Sequence, residues 1–357
     1  MIKLIQLYLE MCNGTAFDGA ATMSGHLTGV ATRFKELIPH AVSTHCWSHK
    51  LSLSVLGCTK DSRQLSDATV TIGEVSGYFL NHSPKTLHFL DLVYKSKYPN
   101  SSRQHALIKQ SLTRWSQRIL AWEQFLEVLD VVVETLEIIC GDKANTINDI
   151  VFCAETRNKA GTLLTLLRKP SFSVSLVCMD KFLKLLLGPT IQLQGREMEI
   201  LKAYEMMHDV INVLQDFSLD LDILWENDIW PKVQKCSDIL DIDILPPRRV
   251  GHQRHRSNVP GDGKEYFKIT VGREVLDTIL ADLKERFGND QMNIAKMLVI
   301  TPSNLVQQPV DKIIESLSEV VEHFKIYFPD KGALFAEIPV LQANVRRLQV
   351  FLFNQRV

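Results

Sequence analysis

The chain has 357 residues, with 40 lysines and arginines against 41 aspartates and glutamates and a formal net charge of −1. That balance excludes a global electrostatic pull toward nucleic acid, so any phosphate contact must come from a local patch. Hydrophobic residues make up 45%, enough for a sizeable core, yet no apolar run reaches the roughly 18–20 residues of a membrane span. Seven cysteines are scattered without a regular framework, which points to reduced thiols in a soluble, intracellular protein. The apolar start, Met1 to Glu10, lacks a cleavage site and reads as a buried strand or short helix rather than a signal peptide. A short strand is expected around Asn13–Phe17, ending at Asp18 and a turn at Gly19. Gly29–Ile38 reads as a helix stopped by Pro39, Ala41–Cys46 leans toward a strand, and Ser48 is a reasonable N-cap for the helix that follows. Strand, helix, strand, helix is the order of one half of a layered α/β unit.

From about residue 59 the pattern is helical. Ile119, Trp122, Leu126, Leu129, Val133 and Leu136 recur at steps of three and four, as do Leu201, Tyr204, Met207, Ile211 and Leu214. Val310, Ile313, Leu317, Val320, Phe324 and Tyr327 form a third series. Each lays one apolar stripe along a helix, which must pack on neighbours to leave water. Leu245–Gly263, with its prolines, glycines and central basic cluster, reads as a linker, and helix resumes over Thr270–Phe287. There is no internal repeat at solenoid periods.

Few residues carry chemistry. Asp18, at a strand end before a glycine, is of the type that holds Mg²⁺ or Mn²⁺ for phosphoryl transfer, although such an aspartate also serves as an ordinary turn residue. Cys46 and His49 form a Cys-x-x-His pair, half of the four ligands that a structural zinc site needs. Arg114, Trp115 and Arg118 stand at the head of a long helix, where the ring stacks on a base or anchors the helix and the arginines meet phosphates or solvent. The dense basic run includes Arg248, Arg249, Arg254 and Arg256, in a loop open either to a phosphate backbone or to water. There is no P-loop, dinucleotide fingerprint, Gly-x-Ser-x-Gly elbow or His-Glu-x-x-His motif.

The segments from Phe17 to Gly25 and from His45 to Leu53, followed by Thr113-Arg114-Trp115, Leu193-Gln194, Arg254 to Asn258 and Leu283 to Phe287, together resemble the hAT-type transposase-derived group. That group includes the zinc-finger MYM-type proteins and the repressor of the inhibitor of the protein kinase. The resemblance implies a mainly α chain with a small α/β part: a partial RNase H-like core over 1–115, an all-helical insertion over 116–245, a basic linker over 246–263 and a C-terminal helical segment over 264–357. It implies a nuclear protein that binds nucleic acid and dimerises. Active members use three acids; Asp18 matches the second, Glu337 is the nearest candidate for the third, and the first has no counterpart upstream of Asp18. Phe17, Thr22 and Ser52 replace the commoner Tyr, Asn and Asn of the motif.

The chain is therefore expected to be truncated at both ends and to lack strand-transfer activity, since a two-metal site cannot form without its carboxylates. No cofactor is expected, and Mg²⁺ or Mn²⁺ enters only if the protein is active. The alternative is an active metal-dependent transposase or nuclease whose missing acid comes from elsewhere. Expected partners are DNA, other proteins or a second copy, because half an α/β layer leaves a sheet edge open; no membrane is expected.

Overall fold

The computed structural model describes residues 14–17, 21–24, 29–37, 42–103, 106–108, 115–141, 150–193, 200–247, 262–287, 297–323 and 329–354. The chain is mainly α with a small α/β part at its start. Strand β1 (Gly14–Phe17) is followed by α1 (Ala21–Ser24), α2 (Val30–Leu37) and strand β2 (Val42–His45). The two strands pair in parallel, Gly14 opposite Val42 and Phe17 opposite His45. A parallel pair cannot close through a tight turn, and here the connection carries helices.

Helices follow: α3 (Trp47–Asp61), α4 (Arg63–Gly77), α5 (Pro84–Lys97), α6 (Trp115–Glu127), α7 (Leu129–Cys140), α8 (Ala154–Leu167), α9 (Pro170–Cys178), α10 (Leu187–Leu193), α11 (Ile200–Leu219), α12 (Leu221–Leu224) and α13 (Trp230–Leu240). After them come α14 (Gly263–Phe267), α15 (Glu274–Arg286), α16 (Pro302–Gln307), α17 (Val310–His323) and α18 (Lys331–Asn354). None is long and apolar enough to cross a membrane. The chain divides into two compact units, Met1–Ile191 with Asn212–Asp282, and Gln192–Ile211 with Leu283–Val357.

In the first unit, α7 and α9 are rich in buried apolar residues. Val131, Val132, Val133, Leu136 and Ile139 are buried on α7, and Phe172, Val174, Leu176 and Val177 on α9. Neighbouring helices cover those residues: α5, α8 and α13 pack on α7, whose Asp130 and Glu134 stay half-exposed in ion pairs with Lys97, while α4 and α13 pack on α9. The single helix expected through Ile119–Leu136 is two, separated at Val128 (φ −107°, ψ 18°). The apolar spacing continues across that residue, so periodicity gives no sign of the break. One buried charge pair braces the centre: Arg168 donates through Nη2 to Glu137 Oε1 at 2.7 Å and through Nε to the Leu240 carbonyl at 3.1 Å.

Wide π-type turns interrupt the helices at Tyr78–His82, Met179–Leu183, Trp225–Ile229 and Lys268–Arg273. Two of them meet. Trp225 is fully buried, and a Cβ on Gly272 would lie 2.6 Å from its ring, so the helix can approach the indole only because residue 272 lacks a side chain. The helix expected from Thr270 starts earlier, at Gly263, capped by the Asp262 carboxylate that accepts from the Lys264 amide at 3.0 Å. Gly263 is also required, because a Cβ there would meet the Ile244 carbonyl oxygen at 1.9 Å. What reads as the end of a linker is a capped helix start packed against backbone.

A charged cluster joins the π-type turns at Met179–Leu183 and Trp225–Ile229. Asp228 bonds Lys181 at 2.6 Å and Lys232 at 2.8 Å, and Lys184 pairs with Glu123. Burial raises the Asp180 carboxyl above its usual range against the pull of Lys184 and Lys232, and Glu123 and Asp228 push it the same way. In the second unit, Val299, Leu305, Ile313, Leu317 and Ile338 form the core, and buried Gln342 donates to the Leu305 and Gln308 carbonyls at 2.6 and 2.7 Å. Ile313, Leu317 and Val320 are buried, as their spacing predicts; Phe324 and Tyr327 lie outside the described residues.

Gly272→Ala is expected to cost about 1–3 kcal/mol by overpacking against Trp225, read as a lower midpoint in urea with an altered tryptophan emission. Asp180→Asn is expected to raise the melting temperature at neutral pH. A carboxyl whose folded pKa is raised costs stability as pH climbs from its unfolded to its folded value. The gain should vanish in acid, where Asp180 is already protonated; an equal gain at both pH values would contradict this.

Candidate strand-end site

The α/β part brings two strand ends together. The Cys46 amide donates to the Phe17 carbonyl at 2.8 Å, one step beyond the last strand pair. Behind the ribbon, the Phe17 ring packs on Phe34 of α2 with centroids 5.9 Å apart. Trp47 is buried at the first position of α3, and Leu51, Val55 and Cys58 continue its buried stripe. These contacts fix where α3 begins relative to the end of β1.

Cys46, not Ser48, is the N-cap of α3. Its φ and ψ of −54° and 119° leave the helix, and its carbonyl accepts from the Lys50 amide at 2.9 Å. Ser48 sits inside the first turn, where its carbonyl accepts from the Ser52 hydroxyl at 2.9 Å. Burial of Trp47 pulls the helix start back by two residues, and tertiary packing outweighs the capping preference of serine. Cys46 is exposed and His49 half-buried, one turn into α3.

The other expected residues fall as follows. Asp18 directly follows β1 in the chain but lies outside the described residues, as do Arg114, Arg248, Arg249, Arg254 and Arg256. Trp115 is the first residue of α6. Arg118, one turn further, is half-buried, and burial lowers its pKa. Glu337 is exposed on α18 and belongs to the second unit, whereas the strand ends belong to the first. Among the described residues no three His, Cys, Asp or Glu side chains gather as a metal site would need. Cys46 and His49 remain a pair, so the described residues do not by themselves build a centre for Mg²⁺, Mn²⁺ or zinc.

One reactive group escapes sequence reading. Cys153, the N-cap of α8, is exposed, and the Thr156 hydroxyl at 3.1 Å together with the Thr156 amide lowers its pKa. Only its place before a helix start hints at this. In contrast, burial pushes Cys178 up to about 12 and Cys236 up to about 11.

The chain is similar to the 52 kDa repressor of the inhibitor of the protein kinase from Homo sapiens, 24% identical over 336 residues that cover 93% of this chain and 42% of that protein. The Mus musculus protein of the same name is 25% identical over 343 residues, 93% of this chain and 43% of the other. The chain thus spans less than half the length of these curated relatives. No family model matches, and no solved structure matches.

Treatment of the native protein with an alkylating reagent at neutral pH is expected to modify Cys153 fastest and Cys46 next. Cys58, Cys178 and Cys236 should react only on unfolding, as read by mass mapping. Early labelling of Cys178 would contradict the packing of α9.

Proposed function

We propose that the chain is part of a hAT-transposase-derived protein that acts as a nucleic-acid-associated or protein-interaction module in the nucleus, without strand-transfer activity. In this reading β1, β2 and the helices beside them are a piece of an RNase H-like core. Residues 116–245 are the helical insertion, 246–263 a basic linker and 264–357 the C-terminal helical segment. The observation that carries the reading is the bond from the Cys46 amide to the Phe17 carbonyl. It sets the strand end that leads into Asp18 beside the helix of the Cys-x-x-His pair, the two motif segments of the sequence resemblance. The similarity over 93% of the chain to the human and mouse repressors supports the same descent.

The absence of cleavage chemistry is part of the proposal. Losing one preorganised group in a site that stabilises developing charge costs about 10²–10³ in rate, and this chain offers Asp18 with no described carboxylate gathered beside Cys46 and His49. The phosphate contacts would come from Arg114, Trp115, Arg118 and the basic run Arg248, Arg249, Arg254 and Arg256, and self-association from an open sheet edge.

Incubation with Mg²⁺ or Mn²⁺ and inverted-repeat duplex DNA is expected to give no nicks. Retention on duplex DNA should weaken as salt rises and fall further in Arg114→Ala and Arg254→Ala. Metal-dependent nicking that disappears in Asp18→Ala would replace the proposal with an active nuclease. Retention unchanged by salt and by both arginine substitutions would leave a protein-interaction module alone.

A further inference from the structure

The first unit holds a cleft of about 460 Å³ between the starts of α4 and α9 and the α14 segment. Two cations frame it, Arg63 from the first turn of α4 and Lys169 from the residue preceding α9. Neither is committed elsewhere. Arg63 is 91% exposed, and its ion pair with Asp67 is at the 4.0 Å limit. Lys169 is exposed, with no carboxylate partner for its ammonium among the described residues.

The rest of the lining has two characters. Donor-bearing residues dominate its polar part: Ser171, Thr270 and Tyr266 line it with the two cations, and Asp67 is the lone carboxylate among the lining residues. Its apolar part combines Pro170, Leu245 and Pro247 with two rings: half-exposed Tyr266 meets buried Phe267 edge to face, centroids 5.0 Å apart. Such a lining suits an anion joined to a flat apolar body. The volume is that of a small-ligand pocket, which falls at about 300–1,000 Å³, rather than of an extended peptide groove.

We propose that this cleft binds a nucleoside phosphate, its phosphate between Arg63 and Lys169 and its base against Tyr266. The inference does not rest on the function proposed above. The same chemistry is offered by a free nucleotide and by the phosphorylated end of a nucleic-acid strand.

Calorimetric titration of the full chain tests it, with adenosine 5′-monophosphate, inorganic phosphate, adenosine and a short single strand with and without a 5′-phosphate. Saturable binding of the mononucleotide, or of the strand only when 5′-phosphorylated, is expected; the first marks a free-nucleotide site and the second a strand-end site. Lys169→Glu and Arg63→Glu should each weaken it about tenfold or more, as loss of a charge-assisted contact does. Tyr266→Ala should weaken nucleotide binding and leave inorganic phosphate unaffected. Both cations are exposed, so unchanged melting curves will show that these variants fold. Three results overturn the proposal: no saturable binding at millimolar ligand, affinity unchanged in Lys169→Glu, or inorganic phosphate bound as tightly as the nucleotide.

Discussion

Two four-residue strands cannot hold each other by their ladder alone; isolated two-stranded pairs are marginal in water even with a tight turn. The pair at the start of this chain has helices beside it to add to that ladder, α2 in the connection and α3 directly after β2. Phe17 has Phe34 of α2 beside it, and Trp47 closes the start of α3. With those rings in place, the Cys46 amide meets the Phe17 carbonyl, and the relation between the two motif segments is set. Remove that packing and the candidate site has no geometry.

The helical body obeys a different constraint. Its central helices, α7 and α9, bury most of their residues, so surrounding helices must come close, and closeness decides individual residues. Gly272 exists where Trp225 leaves no room for a methyl group. Glu137 is tolerated in the interior because Arg168 reaches it and also satisfies the Leu240 carbonyl. The π-type turns rotate side-chain positions within otherwise continuous helices, and two of the four bring Trp225 and Gly272 together.

Much of the local structure was legible in the sequence because its causes are local. α2 closes at Leu37, two residues before Pro39 in the sequence, β1 closes at Phe17, and the three-four spacing of Ile313, Leu317 and Val320 gives a buried face on α17. The misses have causes elsewhere in the chain. Ser48 has the better capping side chain, but burial of Trp47 moves the helix start to Cys46. Val128 interrupts a helix whose apolar period does not change. Arg168 finds partners 31 and 72 residues away, a pairing that no local window contains. Of the candidate site, Cys46 and His49 were legible from the motif, and the pairing of β1 with β2 made them neighbours of the strand that leads to Asp18. The exposed Cys153 and the two cations of the cleft had no motif to reveal them.

The account turns on that strand pairing, and hydrogen exchange at the Cys46 amide, followed by NMR, tests it most directly. A hydrogen bonded to the Phe17 carbonyl should exchange slowly, on the scale of the Lys50 amide in α3, and Phe34→Ala should accelerate it while leaving amides of α9 unchanged. Exchange at the rate of an unstructured chain in the native protein would contradict the pairing and, with it, the observation on which the proposed origin rests.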